Sequence, residues 1–174
     1  PKAFFNRLLK ELDPTIISDY KQQWLLRKEA LEKLHESYCA SAPYSDFYVF
    51  SEIIKEFPRD TVLHLGNSSP IRYAQLFDNS NIKKTHANRG TSGIDGCTST
   101  SMGAAFANPD QNFILISGDI SFFYDNNALW NDGPIKNLKI IVINNSGGGI
   151  FRFIPGPATT DELEKYFEAE QKRS

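Results

Sequence analysis

The sequence is poor in the residues that build covalent or metal-bound frameworks. Its 174 residues include only two cysteines, Cys39 and Cys97. Two cysteines do not make a disulfide framework, so both are expected to be reduced and the compartment to be the cytoplasm. No Cys-x-x-Cys pair and no paired histidine spacing occurs, which argues against a zinc site. The scattered histidines His35, His64 and His86 are expected to be structural rather than catalytic.

Long apolar runs and an excess of positive charge are also missing. No apolar stretch approaches the roughly 18–20 residues of a transmembrane segment, and the first residues show no signal-peptide pattern. The formal net charge of −2 gives no basic surface, so nucleic acid is not an expected partner. The sequence begins at Pro1 without an initiator methionine, and we therefore expect a fragment of a longer protein.

The hydrophobic pattern divides the chain into a short helical part and a longer mixed part. Apolar residues at helical spacing predict two helices, over residues 1–12 and 16–39. A linker over residues 41–43 follows, and we place a domain boundary there. Residues 1–42 are then the end of one domain with its linker, and residues 43–174 are a second domain.

Short strands alternate with helices in the second domain. The predicted helices lie at 45–57, 70–77, 94–107, 122–131 and from about residue 161, and the predicted strands at 61–65, 84–88, 113–117 and 138–143. The last two strands are apolar throughout, which is typical of a parallel sheet covered on both faces. The pattern therefore predicts an α/β fold, a parallel sheet with helices on both faces, in which ligands bind beyond the carboxyl ends of the strands.

Polar turns follow the two apolar strands. Gly118-Asp119 ends the first strand, Asn144-Asn145 follows the second, and 24 residues separate these turns. That length fits one helical crossover, which would bring both turns to one edge of the sheet. Carboxylate and amide oxygens suit Mg²⁺, which commonly bridges protein and phosphate groups. The carbonyl of Gly147 is a third candidate ligand, and a helix starting near Ser121 would direct its N–H groups at an anion.

Each turn also has a plain structural interpretation. Aspartate and asparagine are common turn and cap residues after strands, and either turn alone would more often be structural than a ligand. The two turns at this spacing, with apolar strands before them and three glycines beyond, favour a metal–diphosphate site.

This pair of motifs resembles the signature of thiamine diphosphate enzymes. The runs 66–72, 88–96 and 144–151 are similar to one family among them, the 2-succinyl-5-enolpyruvyl-6-hydroxy-3-cyclohexene-1-carboxylate synthases of menaquinone biosynthesis. The run Asn-Arg-Gly-Thr-Ser-Gly-Ile-Asp-Gly at 88–96 is the most specific of the three. The resemblance extends from about residue 44 to residue 157, and the first forty residues fit the end of that family's central domain through weaker motifs.

The resemblance implies a site for thiamine diphosphate and Mg²⁺. Asp119, Asn145 and the carbonyl of Gly147 would hold the metal. Ser121 would help to bind the diphosphate, and Ile150 would be the apolar wedge that bends the cofactor. The full set of implied cofactor-binding residues is Ser92, Gly93, Ile94, Gly118, Asp119, Ser121, Asn145, Gly147 and Ile150. Ser92, Gly93 and Ile94 among them would line the aminopyrimidine.

The resemblance also implies substrates and a partner. The family decarboxylates 2-oxoglutarate and adds the product to isochorismate. Arg72 and Arg89 would meet substrate carboxylates, with Ser68 and Phe151 beside them. The activating glutamate belongs to the amino-terminal pyrimidine-binding domain of a second subunit, which implies a homodimer or tetramer. No glutamate here matches that motif, so no catalytic residue is assigned, and the carboxyl-terminally truncated fragment is expected to be inactive alone.

Several residues leave alternatives open. Ile150 and Phe151 could instead be core residues, and Arg72 could be a surface ion-pair residue. Ile120 stands where many thiamine diphosphate enzymes have a second glycine, although the resembling synthases tolerate a bulky apolar residue there. Gly149 replaces a polar residue found in some members, which leaves one substrate contact open.

Two rival functions remain at this point. Another thiamine diphosphate-dependent decarboxylase or synthase would share the metal motif but need not share residues 88–96. A non-catalytic nucleotide-binding domain is the other rival. The sequence has no Gly-x-x-x-x-Gly-Lys-[Ser/Thr] loop, and its glycines at 90, 93 and 96 do not match Gly-x-Gly-x-x-Gly, which counts against that rival.

Overall fold

The computed structural model describes residues 1–12, 17–131, 133 and 135–170. The chain divides into two compact units, Pro1–Ala42 and Pro43–Ser174. The first unit contains helices α1 (Lys2–Glu11) and α2 (Tyr20–Ser41), and neither helix contains a buried residue. The predicted start of the second helix at residue 16 lies outside the described residues. Within the described part of the chain, no helix has the length and apolar character needed to cross a membrane.

The second unit alternates helices and strands. Its regular elements are α3 (Asp46–Ile53), β1 (Val62–Leu65), α4 (Ser69–Ala74), β2 (Lys84–Ala87), α5 (Cys97–Ala107), β3 (Phe113–Gly118), α6 (Asp119–Tyr124) and β4 (Leu138–Ile143). Short 3-10 turns lie at Ile54–Glu56, Asn126–Leu129, Gly149–Arg152 and Pro157–Thr159, and a π-helical segment at Leu163–Glu168. The Ser45 hydroxyl caps α3 by accepting a hydrogen bond of 3.3 Å from the N–H of Tyr48, as its position before an apolar helix predicts.

Two helices differ from the sequence prediction in where they begin. α5 starts at Cys97 rather than residue 94, because Gly96 has a φ of +75° and stands outside the helix. α6 starts at Asp119, directly after β3, and ends at Tyr124. The next residue, Asp125, has φ −127°, and its carboxylate accepts hydrogen bonds from the N–H (2.7 Å) and hydroxyl (3.0 Å) of Ser99. That contact fixes the end of α6 against the start of α5.

The four strands form one parallel sheet in the order β2-β1-β3-β4. Val62 lies opposite Lys84 on one side and Phe113 on the other, and Phe113 lies opposite Leu138. The chain moves one way from β1 to β2 and the other way from β2 to β3. Right-handed crossovers therefore place α4 and α5 on opposite faces of the sheet. The predicted α/β fold with a parallel sheet is confirmed.

Each face of the sheet has its own apolar cluster. Leu63 and Leu65 of β1 pack with Ile116 of β3 and with Phe50 of α3, which is completely buried. On the other face, Val62 and Phe113 pack with Ala105 of α5. Alternate residues of β1 thus serve opposite faces, as the two-residue period of a strand requires.

His64 shares the second face and is buried without a hydrogen-bonding partner for one nitrogen. His64 is 6% exposed, and its ring centroid lies 5.3 Å from that of His86 and 5.9 Å from that of Phe113. No described residue offers a hydrogen bond to its Nε2 atom. Burial, with a smaller contribution from repulsion by His86, lowers the pKa of His64 to about 4.

We predict that His64 makes the fold sensitive to moderate acid. The unfolded chain takes up the proton near pH 6.5 and the folded chain only near pH 4. The contribution of neutral His64 to the free energy of unfolding is therefore fully present above about pH 6.5. It falls as the pH drops toward 4, by on the order of 2–3 kcal/mol. Urea unfolding from pH 7 to pH 4.5 measures this slope. The His64→Gln variant should flatten it and His35→Gln, in the first unit, should not; an unchanged slope in His64→Gln would contradict the assignment.

Candidate functional site

The strand order reverses at the β1–β3 pair, and the loops after these two strands diverge there. In parallel α/β sheets this is where ligands bind, outside the carboxyl ends of the strands. Gly66 directly follows β1, and its N–H donates a hydrogen bond of 2.7 Å to the carbonyl of Ile116. A Cβ atom at Gly66 would lie 3.1 Å from the Cα atom of Ser117. A larger residue would therefore push apart the two strand ends that flank the crevice.

Three serines in the loops at this edge adopt positive φ angles. Ser68 follows β1 with φ +73°, Ser92 follows β2 with φ +60°, and Ser146 follows β4 with φ +69°. A side chain makes this region unfavourable, at a cost of about 1–2 kcal/mol for each residue. Ser68 and Ser92 are also predicted site residues. Backbone strain thus accompanies three of the four strand ends.

Asp119 occupies the centre of this edge, at the first position of α6 and directly after Gly118. It is 2% exposed. Its Oδ1 atom accepts a hydrogen bond of 2.8 Å from the N–H of Ile120, whereas Oδ2 has no partner among the described residues. Burial raises the pKa of the carboxyl group, and the backbone N–H groups of Ile120, Gly147 and Ser146 oppose that shift. A buried carboxylate oxygen without a donor fits a cation ligand.

The N–H groups of Ser146 and Gly147, in the turn after β4, thus lie near the Asp119 carboxylate without forming a hydrogen bond to Oδ2. The side chain of Asn145 engages a different group, because its Nδ2 atom donates a hydrogen bond of 2.7 Å to the Oδ2 atom of Asp46. Asp46 belongs to the first turn of α3 and was not predicted as a site residue. The carboxylate holds the amide nitrogen of Asn145 and leaves the amide oxygen as the atom suited to a metal.

Two of the glycines after Asn145 leave room for a later segment of the chain, which packs against this turn. Gly147 has φ +143°, and a Cβ atom there would collide with the carbonyl oxygen of Glu168. Gly148 donates a hydrogen bond of 2.6 Å to the same oxygen. Arg152 pairs with the Glu168 carboxylate through two nitrogens, one of them at 2.8 Å. The Leu163–Glu168 segment therefore lies directly against this glycine turn.

Ile150 and Phe151 lie in the 3-10 turn that follows the glycines. Both are half-buried. The ring of Phe151 packs against that of Phe167 with centroids 5.4 Å apart. Part of the Phe151 surface is therefore used for packing, and the roles predicted for these two residues stay predictions.

Two exposed arginines are anchored by adjacent residues of the loop after β1. Arg72 of α4 donates a hydrogen bond of 2.9 Å to the carbonyl of Ser68. Arg89, after β2, donates one of 3.0 Å to the side-chain oxygen of Asn67. Each contact uses one nitrogen of a guanidinium group that carries five N–H donors, so both groups retain donors for an anion.

The predicted aminopyrimidine-lining residues are tied to the same edge. The Nδ2 atom of Asn67 donates a hydrogen bond of 2.7 Å to the carbonyl of Gly93, and the buried hydroxyl of Ser121 donates one of 2.5 Å to the carbonyl of Ile94. A Cβ atom at Gly93 would collide with the side chain of Asp95. The segment from Ser92 to Ile94 is thereby held beside the ends of β1 and β3.

The candidate metal ligands are oxygen atoms, which suit a magnesium ion. Within the described residues, no group of three histidine, cysteine, aspartate or glutamate side chains could hold a metal. The candidate ligands at this edge are instead one carboxylate, one amide oxygen and one backbone carbonyl, all hard oxygen donors. The local sequence pattern gives no indication that Asn67 and Asp46 belong to the site.

Comparison with known proteins identifies a family for the chain. Residues 66–172 match the family described as thiamine pyrophosphate enzyme, C-terminal TPP binding domain. The chain is similar to proteins named 2-succinyl-5-enolpyruvyl-6-hydroxy-3-cyclohexene-1-carboxylate synthase. The relative from Christiangramia forsetii is 52% identical over 134 residues, which cover 77% of this chain and 23% of that protein. Relatives from Flavobacterium psychrophilum and Porphyromonas gingivalis are each 44% identical over 172 residues, covering 99% and 96% of the chain.

The chain spans only 31% and 30% of the length of those last two relatives. The family match covers the loops after all four strands and begins at Gly66. On this match, the chain belongs to the family of carboxyl-terminal thiamine pyrophosphate-binding domains of thiamine pyrophosphate enzymes.

Proposed function

We propose that the chain is the diphosphate-binding part of a synthase of menaquinone biosynthesis that decarboxylates 2-oxoglutarate and adds the product to isochorismate. The observation that carries the proposal is the pair of exposed arginines, Arg72 and Arg89, which are anchored on the adjacent residues Ser68 and Asn67. Both substrates carry several carboxylates, which guanidinium groups bind with paired hydrogen bonds. Ser68 and Phe151 complete the proposed substrate surface.

Asp119, Asn145 and the carbonyl of Gly147 are the proposed Mg²⁺ ligands. The unpaired Oδ2 atom of Asp119 supports this role, as does the fixed amide of Asn145. Gly118 and Ser121 are proposed to lie at the diphosphate, Ser92, Gly93 and Ile94 at the aminopyrimidine, and Ile150 beneath the bend of the cofactor. When bound, thiamine diphosphate supplies the nucleophilic carbon needed to cleave a 2-oxoacid, and the protein supplies orientation and electrostatics.

The rest of the proposed enzyme lies outside this chain. Residues 1–42 would be the end of a central domain and its linker, and residues 43–174 the diphosphate domain without its full carboxyl terminus. A glutamate on the amino-terminal pyrimidine-binding domain of a second subunit would activate the cofactor. The whole protein would then be a cytoplasmic homodimer or tetramer.

Asp119→Asn should separate cofactor binding from folding. In the full-length protein, removing the charge should weaken Mg²⁺ binding in the presence of thiamine diphosphate by about tenfold or more, since ligand charge sets the affinity of such sites. The unfolding midpoint without ligands should stay constant or rise, because a desolvated charge is removed. Calorimetric titration measures the first effect and urea unfolding the second.

The matched control is Asp110→Asn, which changes an exposed aspartate before β3 at the opposite edge. It should bind Mg²⁺ and thiamine diphosphate like the unchanged protein. Equal affinities of Asp119→Asn and the unchanged protein would remove Asp119 from the ligand set. Tight binding of a mononucleotide in place of thiamine diphosphate would favour the nucleotide-binding alternative.

Arg89→Ala should impair turnover far more than folding. Loss of one charged contact to a substrate carboxylate costs about 2–5 kcal/mol, so kcat/KM should fall at least about thirtyfold. Steady-state assays of the full-length protein with 2-oxoglutarate and isochorismate measure this. The control is Arg59→Ala, an exposed arginine before β1 at the opposite edge. Unchanged kcat and KM in Arg89→Ala would contradict the carboxylate assignment.

The chain alone should release no carbon dioxide from 2-oxoglutarate, even with thiamine diphosphate and Mg²⁺ present. The proposed activating glutamate is not among its residues, so the aminopyrimidine end of the site would face solvent. Adding the amino-terminal domain of the full-length protein should restore some release, measured with carboxyl-labelled 2-oxoglutarate. Release by the isolated chain at the rate of the full-length enzyme would overturn this division of the site.

A further inference from the structure

Asn67 is almost completely buried at the mouth of the crevice, with 2% exposure. Its Nδ2 atom donates hydrogen bonds to the carbonyls of Asn88 (2.8 Å) and Gly93 (2.7 Å). Its Oδ1 atom accepts a bond of 3.0 Å from the Arg89 guanidinium. Both donors and the acceptor of this one side chain are therefore used, and all three partners lie 21–26 residues further along the chain.

The segment that Asn67 binds is held mainly by side-chain hydrogen bonds rather than by regular secondary structure. Residues 88–96 form turns and bends between β2 and α5, without regular hydrogen bonding. Asn88 secures the far end of the segment through hydrogen bonds of 3.0 Å to Gly96 and Thr100. Ser121 holds the carbonyl of Ile94. Asn67 binds the segment at two carbonyls, those of Asn88 and Gly93, which lie on either side of Arg89 in the sequence.

We infer that Asn67 is a positioning residue that sets two parts of the site at once. Its amide nitrogen fixes the backbone at Gly93, which is the proposed cofactor surface. Its oxygen orients the Arg89 guanidinium, which is a proposed substrate group. The inference rests on the proposed function in both halves: the substrate half on the role proposed for Arg89, and the cofactor half on the role proposed for the Gly93 segment.

The amide at this position cannot be replaced without loss. A carboxylate of the same shape keeps the acceptor for Arg89 but offers no N–H, so the carbonyls of Asn88 and Gly93 would face negative charge. An aliphatic side chain of similar size removes all three bonds and leaves both carbonyls unpaired in a buried place. The two changes therefore separate the cofactor half from the arginine half.

Asn137 provides a matched control. Its Nδ2 atom contacts three backbone carbonyls, those of Ala105 (3.1 Å), Asn108 (2.9 Å) and Gln111 (2.8 Å). It precedes β4 and so lies at the opposite edge of the sheet. A hydrogen-bond network of the same kind, which joins the end of α5 to the loop before β4, is thus present in the same domain, away from the candidate site.

The experiment measures cofactor affinity and steady-state kinetics in the full-length protein. In Asn67→Leu, the dissociation constant of thiamine diphosphate with Mg²⁺ should rise about tenfold or more, as for other residues that orient a binding group. At saturating cofactor, the substrate KM should rise by a similar factor and kcat should change less. Asn67→Asp should lose cofactor affinity to the same extent, and because it has the native shape it serves if Asn67→Leu does not fold.

Asn137→Leu should lower the urea midpoint and leave cofactor affinity and KM within about twofold of the unchanged protein, since its bonds stabilise the opposite edge of the sheet and reach no residue of the candidate site. If the Asn67 variants behave in the same way, Asn67 is only structural and the inference fails. If the unchanged protein does not use 2-oxoglutarate and isochorismate, the proposed function fails. The cofactor titration still decides whether Asn67 positions the Gly93 segment.

Discussion

The strand order β2-β1-β3-β4 obliges the chain to leave β1 on one side and to return to β3 on the other. This reversal places α4 and α5 on opposite faces, and it directs the loops after β1 and β3 apart. Gly66 lets the two strand ends remain close beneath that gap. The polar groups of the candidate site lie in the loops and helices that follow the four strands, or on the α3 helix, which reaches Asn145 through Asp46.

Two buried polar side chains at this edge differ in whether their hydrogen-bonding atoms are satisfied. Asn67 has every hydrogen-bonding group satisfied, so its burial costs little and it joins two loops. Asp119 keeps one oxygen without a donor, and among the unpaired buried side-chain atoms of the described residues it contributes the only carboxylate. An unpaired buried group costs about 1–3 kcal/mol, and more when it is charged. The cation proposed to bind at Asp119 would offset this cost.

Much of this architecture can be predicted from the sequence because it depends on local pattern. Apolar runs locate β3 and β4, and a polar turn after each run locates Asp119 and Asn145 at one edge. Asn67 and Asp46 are different, because each has an ordinary local interpretation, as a turn residue and as a first-turn acid. Their partners lie 21 to 99 residues away in sequence. Only the folded arrangement of the loops shows what these two residues do.

The two edges of the sheet differ in how their polar groups are used. At the amino edge, Asn137 contacts three backbone carbonyls, and Asn112 donates to the carboxylate of Asp60 at 3.1 Å. The carboxyl edge instead has serines with positive φ after three strands, together with the unpaired oxygen of Asp119. Both features lower the stability of the fold, and they persist where a binding function compensates for them. The positive-φ serines and the unpaired carboxylate oxygen therefore point to the carboxyl edge, the same edge that the sequence motifs indicate.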